Sequence, residues 1–199
     1  MRIEKKTYQT MTDEQLLIAM AGGDKRAFDH LYDRFSSLLF SYFMRMLWRD
    51  REKSEDFVQD FFTKLIHKPE LFDTTRSFKT WMYSVAANMC KNEYKKQEVR
   101  KGTNNSLNEE TQVKDDSKNS LNETHHQLFK EKFDVEIQKL DQKHREVFEL
   151  RHFDGLSMKE IAEVLLTNEG TVKSRLFYAT KYLAQSLKEY QPDELKIRL

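Results

Sequence analysis

Between Leu156 and Leu183 the apolar positions recur every three or four residues and break once, near Leu166, which predicts two short helices joined by a tight turn. Ser157 followed by Glu160 has the form of a capping box, and Ile161, Ala162, Val164 and Leu165 form the apolar side of the first helix. Asn168 is placed to cap the second. There, Val172, Leu176, Ala179 and Leu183 share a narrow arc, while Gly170, Ser174, Phe177, Tyr178 and Lys181 take the opposite side. From Gly170 to Lys188 the chain carries Lys173, Arg175, Lys181 and Lys188 and no acid. A solvated helical hairpin has the same spacing, but the acid-free basic and aromatic outer side suits a helix laid in a DNA major groove.

Upstream, residues 1–11 read as a flexible tail, and Thr12 with Gln15 forms a second capping box ahead of Leu16, Leu17 and Met20. Gly22-Gly23-Asp24 ends that helix and starts a long core helix carrying Phe28, Leu31, Tyr32, Phe35, Leu38, Leu39, Phe43 and Met46. After a charged break from Arg49 to Glu52, Ser54 is expected to cap a helix with Phe57, Phe61 and Leu65 in one stripe. Asp56, Gln59 and Asp60 fall beside the stripe and face outward, as a solvated surface or a protein docking face. Pro69 ends this helix, and a loop leads to the next, where Phe78, Met82, Val85 and Met89 keep helical spacing beside Trp81 and Tyr83. Its far end carries Lys91, Lys95, Lys96, Arg100 and Lys101 against Glu93 and Glu98. Basic and aromatic side chains together suit a single nucleic-acid strand, though a packed Trp on a solvated helix has the same pattern.

From Gly102 to about His126 the chain is polar, with Leu107, Val113 and Leu121 the isolated aliphatics, and residues 102–128 read as a linker between domains at 12–101 and 129–190, with 191–199 a tail. In the second domain Phe129, Phe133, Ile137 and Leu140 share a phase, and Asp141 caps a helix bearing Val147, Phe148 and Leu150 that runs to His152 and meets Gly155.

Composition narrows this further. Charged residues make up 34% of the chain and aromatics 12%, with a mean hydropathy of -0.81, so small cores under a large wet surface are expected. Five Gly and two Pro favour an all-α protein of two small helical domains over a stranded one. With a net charge of +1, nucleic-acid affinity has to come from local patches. The single Cys90 allows no internal disulfide, and no secretion signal or spanning run is evident, so a soluble cytoplasmic protein is expected. The His125-His126 pair has no further ligands nearby, and Asp56 with Asp60 makes no hydrolytic centre, so no metal, cofactor or enzymatic activity is expected. A different class also fits the last two helices: a stand-alone regulator using residues 12–101 for a ligand or for dimerisation. The basic aromatic helix speaks against it, because a ligand domain does not need one.

Three motifs in this order resemble a known family. SEDFVQDFF at 54–62, FKTWMYSVAANMCKN at 78–92, and VFELRHFDGLSMKEIAEVL followed by EGTVKSRL are similar to the hallmark elements of extracytoplasmic-function sigma factors, the minimal members of the sigma-70 family. The resemblance covers both domains. It implies a region 2 over 12–101 that binds the beta-prime clamp helices of core RNA polymerase through Asp56, Gln59 and Asp60. It also implies that this region opens the minus-10 element, with a flipped base held by the Phe72–Phe78 loop, including Thr74 and Arg76. Trp81, Tyr83, Asn88, Lys91 and Lys95 would complete that contact. Region 4 would rest on the beta flap and read the minus-35 element with Thr171, Lys173, Ser174, Arg175, Phe177, Tyr178 and Lys181. The partners implied are core polymerase, duplex and single-stranded promoter DNA and an anti-sigma factor, with no small-molecule substrate. In three places the chain departs from the family pattern. Leu166 stands where many members have Gly, Tyr178 where others have Arg, and Asp141 where Pro is frequent.

Overall fold

The computed structural model describes residues 5–68, 72, 77–103 and 121–190. Among them the chain forms helices and no strand: α1 (Lys5–Thr10), α2 (Asp13–Ala21), α3 (Lys25–Met46), α4 (Arg51–His67), α5 (Phe78–Thr103), α6 (Leu121–Lys139), α7 (Gln142–His152), α8 (Met158–Val164) and α9 (Glu169–Ser186). A 3-10 turn, Lys188–Tyr190, follows.

In the first half α3 is the axis, packed by α2, α4 and α5. Its inward residues Leu31, Leu39, Phe43 and Met46 are fully buried and meet Phe61 and Leu65 of α4 and Phe78 and Met82 of α5. The Thr12–Gln15 capping box forms in both directions. Three local expectations change. The α4 cap is Asp50, whose carboxylate accepts from the Lys53 amide, and Ser54 is buried inside the helix with its hydroxyl on the Asp50 carbonyl. The helix starts earlier than expected because Asp50 offers an N-cap ahead of a charged turn that helix geometry tolerates. The amino-terminal segment read as a tail contains α1, where the buried Tyr8 donates to Asp24 (2.7 Å) and stacks on His30. Arg34 of α3 also donates to the Tyr8 and Gln9 carbonyls, so the segment is held by a ring and by its backbone. Helix α6 begins at Leu121, inside the stretch read as linker.

In the second half α7 and α8 pack on α9, with α6 across it. Val172, Ala179 and Leu183 are buried, as their phase predicts. Gly155 takes a φ of 69° after α7, and the Leu156 amide donates to the Leu150 carbonyl, a helix stop that Gly allows without strain. Leu166, in the turn between α8 and α9, has a φ of 51° and is 85% exposed. A β-carbon in the left-handed region costs about 1–2 kcal/mol, while Gly costs roughly 0.5–1 kcal/mol in unfolded-chain entropy. Leu166→Gly is therefore expected to raise stability by up to about 1 kcal/mol, since no burial is lost. A denaturation midpoint that fell instead would show that the turn holds its shape through the Leu side chain.

The two halves do not sit apart. One continuous apolar cluster runs from Leu16 and Phe43 through Cys90 and Tyr94 to Val147, Leu150, Leu156 and Ile161. Helix α8 packs on α5, and α7 reaches α3.

Candidate nucleic-acid interface

The clearest surface is α9. Asn168 accepts from the Thr171 amide (2.8 Å) and starts the helix, while Ser157 and Glu160 cap α8 reciprocally. These two caps and the buried Ile161, Val164 and Val172 fix the angle between the helices, so the outer side of α9 is presented rigidly. Lys173, Ser174, Phe177, Tyr178 and Lys181 are all exposed, Phe177 by 56% and Tyr178 by 57%. Exposed aromatic rings of this size on an ordered helix are unusual for a surface that meets only water. Thr171 is half-buried in the first turn. Arg175 is also half-buried and turns toward Glu146 of α7, a carboxyl whose pKa is raised chiefly by burial and lowered in part by Lys91, Gln142 and Arg175. Tyr178 meets His144 edge-on at 6.2 Å and Phe177 at 5.6 Å, so its ring is steadied from α7.

The second surface is α5. Asn88 and Lys95 are exposed and Lys91 is half-buried. Glu93, which opposes the basic end in sequence, is turned inward onto Lys53 of α4 (2.8 Å), and that hydrogen bond holds its pKa below the usual value. The outward end of α5 is thus more basic than the sequence count suggests.

Some of the expected contact residues are placed elsewhere. Phe72 and Phe78 are buried in an aromatic cluster with Phe35 and Trp81, at centroid distances of 5.0–5.7 Å. Tyr83 is fully buried and donates to Asp154 (3.0 Å). Helical phase put Phe78 and Tyr83 in the right helix, and Phe72 fell in the loop before it, but neither reading could tell an exposed ring from one that its neighbours or the other half cover. In this arrangement the three support the site, and only Trp81, half-buried, keeps an accessible edge. Thr74 and Arg76 lie outside the described residues.

On α4, Asp56, Gln59 and Asp60 are all exposed, next to a half-exposed Ile66. Between the halves lies a set of charges that periodicity missed: Arg145, Glu146 and Glu149, buried on α7, with the half-buried Arg45 on α3 and Asp154 just beyond α7. The available signal was the motif HREVFELRHFD, which interleaves charged residues with Val147 and Leu150 on the same turns of one helix. Among the described residues no group of three or more His, Cys, Asp or Glu is set for a metal ion, and no helix is long and apolar enough to cross a membrane.

With this geometry in view, the relationships of the chain are specific. Residues 31–100 match the family described as Sigma-70 region 2, and residues 130–183 match Sigma-70, region 4. The ECF RNA polymerase sigma factor SigL of Mycobacterium tuberculosis is 31% identical over 160 residues, covering 80% of this chain and 88% of that protein. The RNA polymerase sigma-H factor of Pseudomonas aeruginosa is 28% identical over 181 residues, covering 88% and 93%. Among solved structures, the sigma factor RpoE in complex with the anti-sigma factor NepR from Bartonella quintana superposes with a TM-score of 0.66 at 22% identity, over 81% of this chain and 96% of that one. CnrH in complex with the cytosolic domain of CnrY superposes at 0.64 with 24% identity, over 89% and 97%.

Proposed function

The chain belongs to the sigma-70 family of RNA polymerase sigma factors, in its extracytoplasmic-function group, and from that premise we propose how its surfaces divide the work of directing core polymerase to promoters. The observation that carries the division is the acid-free outer side of α9, held rigidly by two capped helices, in a chain whose α5 offers a second basic surface.

Residues 129–190 read duplex DNA at the minus-35 element. Ser174 and Phe177 face base edges, and Lys173 and Lys181 meet phosphates. Thr171, Arg175 and Tyr178 flank that contact, and Tyr178 brings an aromatic edge where an Arg would bring a fork of donors. Residues 12–101 engage the minus-10 element as a single strand, through Trp81, Asn88, Lys91 and Lys95. Phe72, Phe78 and the residues between them, Thr74 and Arg76 included, shape the pocket for an unstacked base. Unpairing a base costs a few kcal/mol, which stacking and edge hydrogen bonds offset, so melting draws on binding energy and needs no cofactor or catalytic group. Asp56, Gln59 and Asp60 dock on the beta-prime clamp helices, and the second half rests on the beta flap. The work is done at promoter DNA in the cytoplasm. Because two structural relatives were solved with anti-sigma partners, an anti-sigma factor is a further expected partner, and affinity capture from non-induced cells tests it.

The deciding experiment is transcription in vitro. Core polymerase with this protein is expected to initiate at a specific promoter, whereas operator binding without polymerase and no initiation anywhere would establish a stand-alone regulator. Two variants separate the surfaces. Asp60→Lys reverses a charge on the docking side and is expected to weaken core binding roughly tenfold, as one exposed contact at a protein interface does. Its affinity for minus-35 duplex should be unchanged. A drop in duplex affinity with core binding intact would reverse the assignment.

A further inference from the structure

Helix α9 contains one arginine, and it leaves the outer side. Arg175 lies between the outward and inward arcs of the helix, is half-buried and turns toward Glu146 of α7. The centre of the outer side is held instead by Ser174, Phe177, Tyr178 and Lys181, all exposed. Tyr178 stands one turn after Ser174 on the same strip and is 57% exposed. Its ring meets two others. Phe177 approaches at a centroid distance of 5.6 Å and an interplanar angle of 73°, and the half-buried His144, from the first turn of α7, at 6.2 Å and 62°. A ring braced from a second helix keeps its orientation, and a Tyr side chain has only two torsions to fix, so little entropy is lost when it meets a surface.

The major groove offers such a ring one kind of target. Guanine presents two acceptors, O6 and N7, which call for a fork of donors, while thymine presents a 5-methyl group, which calls for an apolar contact. Tyr178 has the apolar surface and lacks the fork. The one fork of donors on α9 is drawn aside with Arg175, and Lys173 and Lys181 carry single ammonium groups on flexible stems that suit phosphates.

We propose that Tyr178, positioned by His144, is a specificity determinant that reads the 5-methyl group of a thymine, so that the base pair beneath this turn of α9 is A·T and not G·C. The proposal rests on the sigma reading above and deepens it by naming the base class. Every residue it uses lies on α7 or α9, so it is independent of how the two halves are arranged.

The test uses the full chain bound to core polymerase. The complex selects from a pool of promoter-length duplexes randomised over one helical turn upstream. The enriched duplex is then resynthesised with each thymine in turn replaced by deoxyuridine, which keeps every hydrogen-bonding edge and loses only the methyl group. One of these replacements is expected to weaken binding about fourfold, the worth of a single buried methyl group. Tyr178→Phe is expected to keep that difference because the ring remains, Tyr178→Ala to abolish it, and Tyr178→Arg to move the selected base at that position from T to G. All three change an exposed side chain, so the melting temperature is expected to hold. His144→Ala should reduce the thymine-over-deoxyuridine ratio with the salt slope unchanged, and His144→Phe, which returns an edge-on ring, should recover it. A ratio unmoved by His144→Ala overturns the positioning role. Deoxyuridine bound as well as thymine at every position, or a thymine preference that survives Tyr178→Ala, overturns the methyl contact. So does a loss in Tyr178→Phe equal to that in Tyr178→Ala, which would assign the contact to the hydroxyl. A pool with no enriched sequence refutes the sigma reading and the proposal with it, whereas an enriched duplex indifferent to the methyl group refutes the proposal alone.

Discussion

Phe78→Ala is expected to destabilise the first half by about 3–5 kcal/mol, the range for removing a fully buried ring. Phe78 has no exposed surface, and its ring meets Phe35 at 5.0 Å, Phe72 at 5.6 Å and Trp81 at 5.7 Å. A domain of this size holds only about 5–15 kcal/mol in all, so the loss is a large share of what keeps α5 on α3. The urea midpoint should drop steeply and promoter opening should fail, because Trp81 loses the rings that position it. Phe78→Leu keeps most of the volume, is expected to cost less than about 1.5 kcal/mol, and should retain opening. If Phe78 instead stacks on an unpaired base, the Leu variant will lose opening while stability barely moves. Permanganate footprinting of the minus-10 region together with denaturation distinguishes these outcomes.

The second large effect is in the other half. Lys173 and Lys181 are exposed on the outer side of α9, and each neutralised phosphate contributes about 0.9 to the slope of log affinity against log salt. The double variant Lys173→Ala, Lys181→Ala is expected to lower that slope by nearly 2 and to weaken minus-35 binding roughly thirtyfold near 0.15 M salt. Fluorescence anisotropy over a salt series measures both, and the loss should be similar for matched and mismatched duplexes. A slope that does not change would remove the two lysines from the interface. A loss confined to the matched duplex would make them readers of bases.

How far the sequence could be read depended on what fixes each feature. Caps are local, a side chain and an amide three residues away, and Thr12, Ser157, Asn168 and Asp141 all cap as their spacing predicts. The inward face of α9 was legible for the same reason, because period alone sorts Val172 and Ala179 from Phe177 and Lys181. Asp50 was missed since two candidate caps, Asp50 and Ser54, lay one turn apart and only packing chooses between them. Phe72, Phe78 and Tyr83 show the larger limit. The phase of Phe78 and Tyr83 and the loop position of Phe72 were visible, but which partner closes over each ring is a tertiary fact. The charged seam between the halves was the least legible feature, since Arg45 and Asp154 are 109 positions apart and no local pattern joins them. Leu166 was legible as a departure, and the left-handed φ shows that the backbone kept the Gly geometry and accepted the strain.

Helix α7 is covered on both sides, with Arg145, Glu146 and Glu149 buried among Val147 and Leu150. A helix with those neighbours could have been wholly apolar, and the halves would then be fused. Charges make it a face that can live in two solvents: paired when covered, hydrated when bare. Separating an all-apolar seam would leave a sticky patch ready for the next exposed helix. Three ionisable side chains on α7 allow the same surface to be interior in one arrangement and ordinary wet exterior in another, without inviting aggregation in between.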